Sequence, residues 1–142
     1  MNKLLFLGGT CGNNNWRIGF IASLIALGVS AGNLFNPVVP NWNDEAQAKE
    51  DAAKTEAKYM LYYLANPGEE NNTVSSYSLV EAVMNLYDAP NRTVVVFDTT
   101  GQPPHVVKAM TKSYKDLVKR FPNAPIFNDL KLAKEWLVDQ LA

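Results

Sequence analysis

Five short apolar runs alternate with longer segments of helical pattern along this chain, and this alternation constrains the fold most. Each apolar run is typical of a buried β-strand, and most of the segments that follow repeat apolar residues every three or four positions. Strands and helices that alternate in this way form a parallel sheet, because each helix returns the chain to the start of the next strand. The predicted strands cover residues 4–7, 34–39, 59–64, 93–97 and 125–127, and the predicted helices cover residues 16–27, 44–58, 78–88, 104–121 and 129–141.

The length and the helix ends refine this prediction. A chain of 142 residues is too short for two ordinary domains, so residues 1–142 are expected to form one. Gly28 is a typical stop after the first helix, and Asp129 is the predicted N-cap of the last. Five strands with right-handed crossovers commonly take the order 2-1-3-4-5. We therefore expect an α/β, flavodoxin-like domain with a five-stranded parallel sheet and helices on both faces.

This strand order predicts where a ligand binds. The first and third strands are neighbours in it, and ligands of open α/β sheets bind beyond the carboxyl ends of strands where the chain reverses direction. The segments after Leu7 and Leu64 should then line one crevice. Gly8, Gly9 and Glu81 are predicted to share that site.

Charge and composition exclude several classes of function. The 13 basic and 14 acidic side chains are spread along the chain with a net charge of −1, which disfavours a nucleic acid polymer as partner. Cys11 is the single cysteine and His105 the single histidine, so no Cys/His zinc set can form, and we expect neither metal nor cofactor. The apolar stretch in the first residues is too short to be the core of a signal peptide, and no apolar run approaches the length that spans a membrane. We expect a cytoplasmic protein that binds a small molecule.

The sequence allows two roles for Glu81. Ser78-Leu79-Val80-Glu81 fits the capping box, in which the serine hydroxyl and the glutamate carboxylate satisfy each other's backbone N–H groups. The spacing alone favours that role. A lone carboxylate beyond the third strand of such a sheet could also act as a nucleophile.

The residues after the first strand are also ambiguous. Gly8, Gly9 and Thr10 could present backbone N–H groups to an anionic or sugar ligand, or could form a tight turn only. Neither the Walker motif nor G-x-G-x-x-G is present. Cys11 and Arg17 have the spacing of a cysteine phosphatase loop, but Ile18 occupies the place where Ser or Thr usually follows the arginine.

Further carboxylates and aromatic residues could serve a glycosidic site. Cleavage of an N-glycoside needs two carboxylates with separate roles, because its transition state resembles an oxocarbenium ion. Asp98 ends the fourth strand, and Asp51 lies in a helix whose acidic side chains could simply be solvated. Trp16, Trp42 and Tyr77 could stack on a nucleobase or cover the edge of the core.

Several motifs together resemble one known family. They are Phe-Leu-Gly-Gly-Thr at residues 6–10, Trp16-Arg17, Phe35-Asn-Pro-Val-Val39 with Trp42, Tyr62-Tyr63 and Tyr77-Ser-Leu-Val-Glu81. In combination, over roughly residues 3 to 98, they are similar to the nucleoside 2-deoxyribosyltransferase-like family, whose superfamily also includes deoxynucleotide N-hydrolases. The resemblance implies an N-glycosyl transferase or hydrolase that acts on (2-deoxy)nucleosides or their 5′-monophosphates.

The resemblance also implies roles for individual residues. Glu81 would be the nucleophile at C1′ and Asp51 the second catalytic carboxylate. The substrate-binding residues would be Gly8, Gly9, Thr10, Trp16, Arg17, Trp42, Tyr77, Ser78 and Asp98, with Arg17 favouring a 5′-phosphate. A neighbouring subunit completes the sugar pocket in the family, which implies a homodimer or a larger homo-oligomer.

The chain departs from the family pattern at two places. Ser75, Ser76 and Tyr77 stand where the classical transferases hold an acidic residue, and Phe6 replaces a tyrosine before the first loop. These changes make a non-catalytic module for a nucleotide or an ADP-ribose-like ligand the main alternative.

Overall fold

The computed structural model describes residues 2–69 and 72–142, in which strands and helices alternate along the chain. The strands are β1 (Leu5–Gly9), β2 (Leu34–Phe35), β3 (Tyr59–Leu64), β4 (Thr93–Phe97) and β5 (Ile126–Phe127). The helices are α1 (Trp16–Ala26), α2 (Asp44–Glu56), α3 (Ser76–Asp88), α4 (Pro104–Arg120) and α5 (Leu130–Leu141). A short 3₁₀ turn at Ala31–Asn33 precedes β2.

The strands form one parallel sheet in the order β2-β1-β3-β4-β5. β1 pairs with β3 along its whole length, from Leu5 opposite Tyr59 to Gly9 opposite Tyr63. The predicted flavodoxin-like architecture and the predicted strand order are confirmed. The carboxyl ends of β1 and β3 therefore lie side by side.

Alternate side chains of the central strands enter two cores, one on each face of the sheet. Leu7 and Tyr63 point to the face covered by α1 and α5, where Phe20 and Leu137 join them. The other face is covered by α2, α3 and α4. It contains Phe6, Ala53, Met60, Tyr62, Leu64, Ala82, Leu86, Val95, Phe97 and Met110. Helices thus cover both faces, as predicted.

The predicted helix signals at Gly28 and Asp129 are confirmed. Gly28 has a φ of +101°, its N–H donates to Ile25, and the N–H of Val29 donates to Leu24, which is the hydrogen-bond pattern of a Schellman motif. The Asp129 carboxylate accepts from the N–H of Lys131 at the start of α5. Within the described ranges, no helix has both the length and the apolar composition needed to cross a bilayer.

The second strand is shorter than predicted. Pairing stops at Phe35, whereas the prediction extended over residues 34–39. Pro37 has no N–H to donate to the ladder, and the Asn36 side chain accepts from the N–H of Val38, which turns the chain away. Val38 and Val39 become exposed loop residues.

Candidate functional site

A cavity of about 480 Å³ lies at the carboxyl ends of β1 and β3. Its wall is formed by the segment after β1, by α2 and by the beginning of α3. The structure brings Gly8, Gly9 and Glu81 to this one cavity, as the strand order predicted. Seven of the residues proposed for the site line it, namely Gly8, Gly9, Thr10, Arg17, Tyr77, Ser78 and Glu81.

Glu81 is not part of a helix cap. The N-cap of α3 is Ser75, whose hydroxyl accepts from the N–H of Ser78 at 3.2 Å. The capping box predicted for Ser78 and Glu81 is wrong, because the helix begins at Ser76 and Ser78 already lies inside its first turn. Glu81 is consequently in the second turn, and its carboxylate is available to the cavity.

Lys54 of α2 is the closest charged partner of Glu81. Its ammonium lies 3.3 Å from Glu81 Oε2 and 3.9 Å from Glu50 Oε2. The Lys54 side chain is 31% exposed, while Glu81 and Glu50 are 20% and 18% exposed. The partial burial of the three groups strengthens their interaction relative to a pair in open water. One cation thus holds two carboxylates in the same wall of the cavity.

Glu50 of α2 lines the cavity together with Glu81, as does Glu69 of the segment after β3, while Asp51 lies outside it. Asp51 is exposed and accepts a hydrogen bond from the Gln47 amide on the outer side of α2. Successive residues of a helix are rotated by about 100° around its axis, so neighbours in sequence point in different directions. Residue spacing therefore located a turn of α2 that borders the cavity, but the side chain that it named does not face the cavity.

Tyr62 contributes a buried hydroxyl on the same side of the sheet as Glu81. It is 1% exposed, it lines the cavity, and its oxygen accepts from Asn85 Nδ2 at 3.0 Å. Burial, and then the nearby charge of Glu81, raise the pKa of Tyr62 above its usual value, so the phenol keeps its proton. Phe6 also lines the cavity.

Gly9 and Thr10 fix the turn that follows β1. Gly9 has a φ of +100°, and a side chain there would collide with the backbone of Tyr63. The N–H of Thr10 donates to the Tyr63 carbonyl, and its hydroxyl exchanges hydrogen bonds with the backbone of Ala65. These contacts connect the ends of β1 and β3, so Thr10 uses its polar groups within the fold.

Arg17 is buried, with 4% of its surface exposed. Its guanidinium donates to the backbone carbonyls of Leu7, Thr10 and Gly9 at 2.9, 2.7 and 3.3 Å. Burial lowers the pKa of Arg17, while the nearby Cys11 and Glu50 act in the opposite direction. These bonds make Arg17 a support of the turn after β1, since three of its N–H groups are engaged by the protein itself.

Cys11 is exposed and lies near this guanidinium. It lines the cavity together with Arg17, and its thiol contacts the Gly9 carbonyl at 3.6 Å. A phosphatase loop directs its arginine at the phosphate oxygens. Here the guanidinium is directed at backbone carbonyls.

Trp16 and Asp98 lie on the opposite face of the sheet from Glu81. The Trp16 ring packs on Tyr63 with centroids 4.7 Å apart, and its indole N–H donates to the Thr10 carbonyl. Asp98 accepts from the Tyr63 hydroxyl at 2.5 Å and from the N–H of Thr100. Side chains alternate along a strand, so the residue after Phe97 points toward α1 and α5.

The Asp98 carboxylate is held by hydrogen bonds from within the fold. Burial acts to raise the pKa of its carboxyl, but the hydrogen bonds from Tyr63 and Thr100 outweigh it and lower the pKa. Burial, and then the bond to Asp98, raise the pKa of Tyr63. The pair is therefore stable as a protonated phenol and an ionised carboxylate.

Trp42 lines a second cavity of about 610 Å³ that adjoins the first. The two cavities share Cys11, Gly12, Arg17, Pro37 and Glu50. The second is more apolar, because Ile18, Val38, Val39 and Trp42 line it and are all substantially exposed. A ligand with a polar part beside Glu81 could therefore place a flat apolar part on Trp42.

Sequence reasoning missed Glu50, Lys54 and Tyr62. Glu50 and Lys54 are four residues apart on a helix, a spacing that places two side chains on one face and identifies the pair. Tyr62 is near the end of a strand in which every residue is buried. A polar hydroxyl in such an apolar run was the feature that could have indicated a site residue.

The fold and the cavity define a flavodoxin-like α/β protein with an ionic site at the carboxyl ends of β1 and β3. Across the described ranges, no group of three or more histidine, cysteine, aspartate or glutamate side chains is placed to hold a metal ion. Comparison of the sequence with protein-family models and with curated proteins gave no match.

Proposed function

We propose that this protein is an N-glycosyl transferase or hydrolase that acts on (2-deoxy)nucleosides or their 5′-monophosphates. The observation that carries the proposal is the position of Glu81, whose carboxylate lies in the cavity beside β1 and β3 with Lys54 3.3 Å away. The motif resemblance places the family's nucleophile at this same residue.

The reaction uses the carboxylate of Glu81 directly. One oxygen attacks C1′ of the sugar, the C1′–N bond breaks, and its electron pair leaves with the base, which takes up a proton. The product is a glycosyl ester of Glu81. A nitrogen of a second base, or a water molecule, then attacks C1′, loses a proton and displaces the carboxylate.

Glu50 replaces Asp51 as the second carboxylate of the proposal. It faces the same cavity and shares Lys54 with Glu81, so the two acidic groups have separate positions around one cation. Separate environments let one carboxylate stay ionised while the other exchanges a proton. Glu50 is therefore assigned the proton transfers to the leaving base and from the incoming nucleophile.

The two adjoining cavities suggest how the substrate lies. The sugar occupies the space between Gly8 and Glu81, and the base extends into the second cavity against Trp42. Arg17 supports the walls of both. A 5′-phosphate would have to compete with three backbone carbonyls for its guanidinium, which favours nucleosides over monophosphates. By the family resemblance, the working form is a homodimer or a larger homo-oligomer.

The decisive experiment pairs a substrate panel with an isosteric variant. Deoxynucleosides and their monophosphates are incubated with the protein, with and without a second base, and free or exchanged base is separated by chromatography. Glu81→Gln keeps the side-chain shape but removes the nucleophile, so turnover should fall at least about a thousandfold. Glu135→Gln, on the exposed surface of α5, is the matched control and should leave it unchanged. Equal turnover of Glu81→Gln and wild type refutes the proposal.

A non-catalytic binding module is the second candidate. Ser75, Ser76 and Tyr77 supply no acid at the start of α3, so the proton for the leaving base has to come from elsewhere in the cavity, which in the proposal is the Lys54-bridged Glu50. Calorimetric binding of nucleosides without base release, in wild type and Glu81→Gln alike, favours this candidate. Hydrolysis of an aryl phosphate that is lost in Cys11→Ser favours a cysteine phosphatase over both.

A further inference from the structure

The outer surface of α3 carries an exposed apolar stripe. Tyr77, Val80, Met84 and Tyr87 are 70%, 52%, 52% and 58% exposed. Their spacings of three, four and three residues place them along one side of the helix. Ala82 and Leu86, on the inner side of the same helix, are fully buried. Continuous exposed apolar surface of this kind marks an interaction site more often than isolated apolar residues do.

The two neighbouring helices flank this stripe with opposite charges. α3 lies between them, since Lys54 of α2 reaches Glu81 on one side and the Arg120 guanidinium of α4 lies 5.6 Å from the Tyr87 ring centroid on the other. The outer side of α4 exposes lysines with spacings of four, three and four residues, at Lys108, Lys112, Lys115 and Lys119. The outer side of α2 exposes Asp44 and Asp51. We call this surface the α2–α4 face.

We propose that the α2–α4 face binds a second copy of this chain about a two-fold axis that runs parallel to α3. Such an axis places the apolar stripe against the same stripe of the partner. It also places acidic α2 opposite the partner's basic α4, and basic α4 opposite its α2. A two-fold axis perpendicular to the helices would instead face α4 with α4, where the lysines repel each other.

The face is large enough for a stable dimer. The 13 residues of α3 form a helix about 20 Å long, and three helices packed about 10 Å apart span about 30 Å. The resulting area of about 600 Å² is close to the roughly 800 Å² that each partner buries in a standard interface. Tyr77 belongs to both the stripe and the rim of the cavity, so this interface adjoins the candidate site.

A polyanion fits this face less well than a second copy. Four lysines could attract phosphates, but they occupy one edge of the face while its centre is apolar and its other edge is acidic. All three parts are complementary to the same surface after the two-fold rotation.

The α2–α4 face is the contact surface for the oligomer of the proposed function. Its assignment rests on charges and exposed fractions, so it is tested without any substrate. The mass of the full-length chain is measured by sedimentation velocity over a range of concentrations, where we expect a dimer. Met84→Lys places a charge in the middle of the stripe and should raise the dissociation constant by more than about tenfold. Leu132→Lys, on α5 and similarly exposed at 46%, is the matched control and should not change it.

Charge reversal and salt test the direction of the axis. Lys112→Glu and Asp51→Lys should each weaken the dimer, and the double variant should recover most of the loss, because the two sites face each other across the interface. Added salt should weaken the wild-type dimer by screening the opposite charges. A dimer that salt strengthens overturns the parallel axis.

A cross-link tests proximity without relying on affinity. In a Cys11→Ser background, Met84→Cys lies next to the proposed axis and should oxidise to a covalent dimer, whereas Leu132→Cys should not. A wild-type chain that stays monomeric at high concentration, including one whose lysines bind polyphosphate, overturns the proposal. A dimer that Leu132→Lys disrupts and Met84→Lys does not also overturns it.

Discussion

The ammonium of Lys54 lies 3.3 Å from the carboxylate of Glu81 and connects two helices, α2 and α3, across the wall of the cavity. The same ammonium lies 5.5 Å from the centre of the Phe6 ring, where the resemblance led us to expect a tyrosine. We infer that Lys54 orients Glu81 and holds Glu50 beside it.

Replacing Lys54 by methionine tests this role. Lys54→Met keeps the length of the side chain but leaves two carboxylates in one wall without their cation, so we expect turnover to fall about tenfold or more. Stability at neutral pH should fall by about 1–2 kcal/mol, between the values for exposed and buried ion pairs. Base release measures the turnover, and urea denaturation measures the stability.

The matched control for Lys54 is Lys49 on the same helix. Its pair with Glu45 is 3.2 Å long, but the side chains are 68% and 76% exposed, so Lys49→Met should change neither quantity appreciably. Equal effects of the two substitutions contradict a specific role for Lys54.

The fold was largely predictable because its signals are local and repeated. The β3 and β4 ranges match their predicted ranges, since each is a dense apolar run that begins directly after a basic residue, Lys58 or Arg92. The predicted strand order, which the structure has, is the one that five strands with right-handed crossovers commonly take. The predicted range of β2 was too long, because only two residues pair before Asn36 and Pro37 turn the chain away.

The side chains of the site were harder to predict because they depend on rotation about helix axes and on contacts remote in sequence. Asp51 and Glu50 are adjacent in sequence, yet only Glu50 faces the cavity. Arg17 was expected to favour a 5′-phosphate, but its guanidinium donates to the carbonyls of Leu7, Gly9 and Thr10. Tertiary packing determines both outcomes.

Arg17→Ala should therefore affect stability before it affects substrate choice. The substitution removes the guanidinium from the Leu7 and Gly9 carbonyls, takes one of two donors from the Thr10 carbonyl and opens space beneath the turn after β1, so we expect a loss of about 2 kcal/mol or more. Arg17→Lys should recover only part of it, because an ammonium cannot reproduce the planar set of donors. Urea denaturation measures both, with Lys131→Ala as an exposed control on α5. A fully stable Arg17→Ala protein that loses only monophosphate binding would return Arg17 to the role predicted from the sequence.

Tyr63→Phe should change how stability depends on acidity. The hydrogen bonds from Tyr63 and Thr100 lower the pKa of Asp98 below its usual value of 3.8, so the folded state binds the carboxylate's proton less readily than the unfolded state. The stabilisation is fully present above about pH 5 and is lost as the pH falls through the pKa of the folded state. We expect Tyr63→Phe to lose about 1 kcal/mol at pH 7, since Asp98 is only partly buried, and less near pH 3.

Tyr59→Phe is the control for this titration. Its hydroxyl pairs with the neutral Gln140 side chain at 3.1 Å, so the cost of removing it should not vary between pH 7 and pH 3. Urea denaturation at several pH values measures both variants. Parallel acid dependence of wild type and Tyr63→Phe excludes Asp98 as the source.

Gly9→Ala tests whether the turn after β1 requires glycine. Gly9 has a φ of +100°, and an added Cβ would lie within 3.0 Å of the backbone of Tyr63, which cannot move without breaking the pairing of β1 with β3. We expect Gly9→Ala to unfold or to lose several kcal/mol of stability, since strain and lost pairing add. Gly19→Ala is the matched control, because Gly19 lies in α1 with no atom within 4 Å of the new methyl group. It should stabilise the protein by about 0.5–1 kcal/mol. Thermal unfolding compares the two, and equal midpoints would show that β1 and β3 do not approach each other at Gly9 as closely as the structure has them.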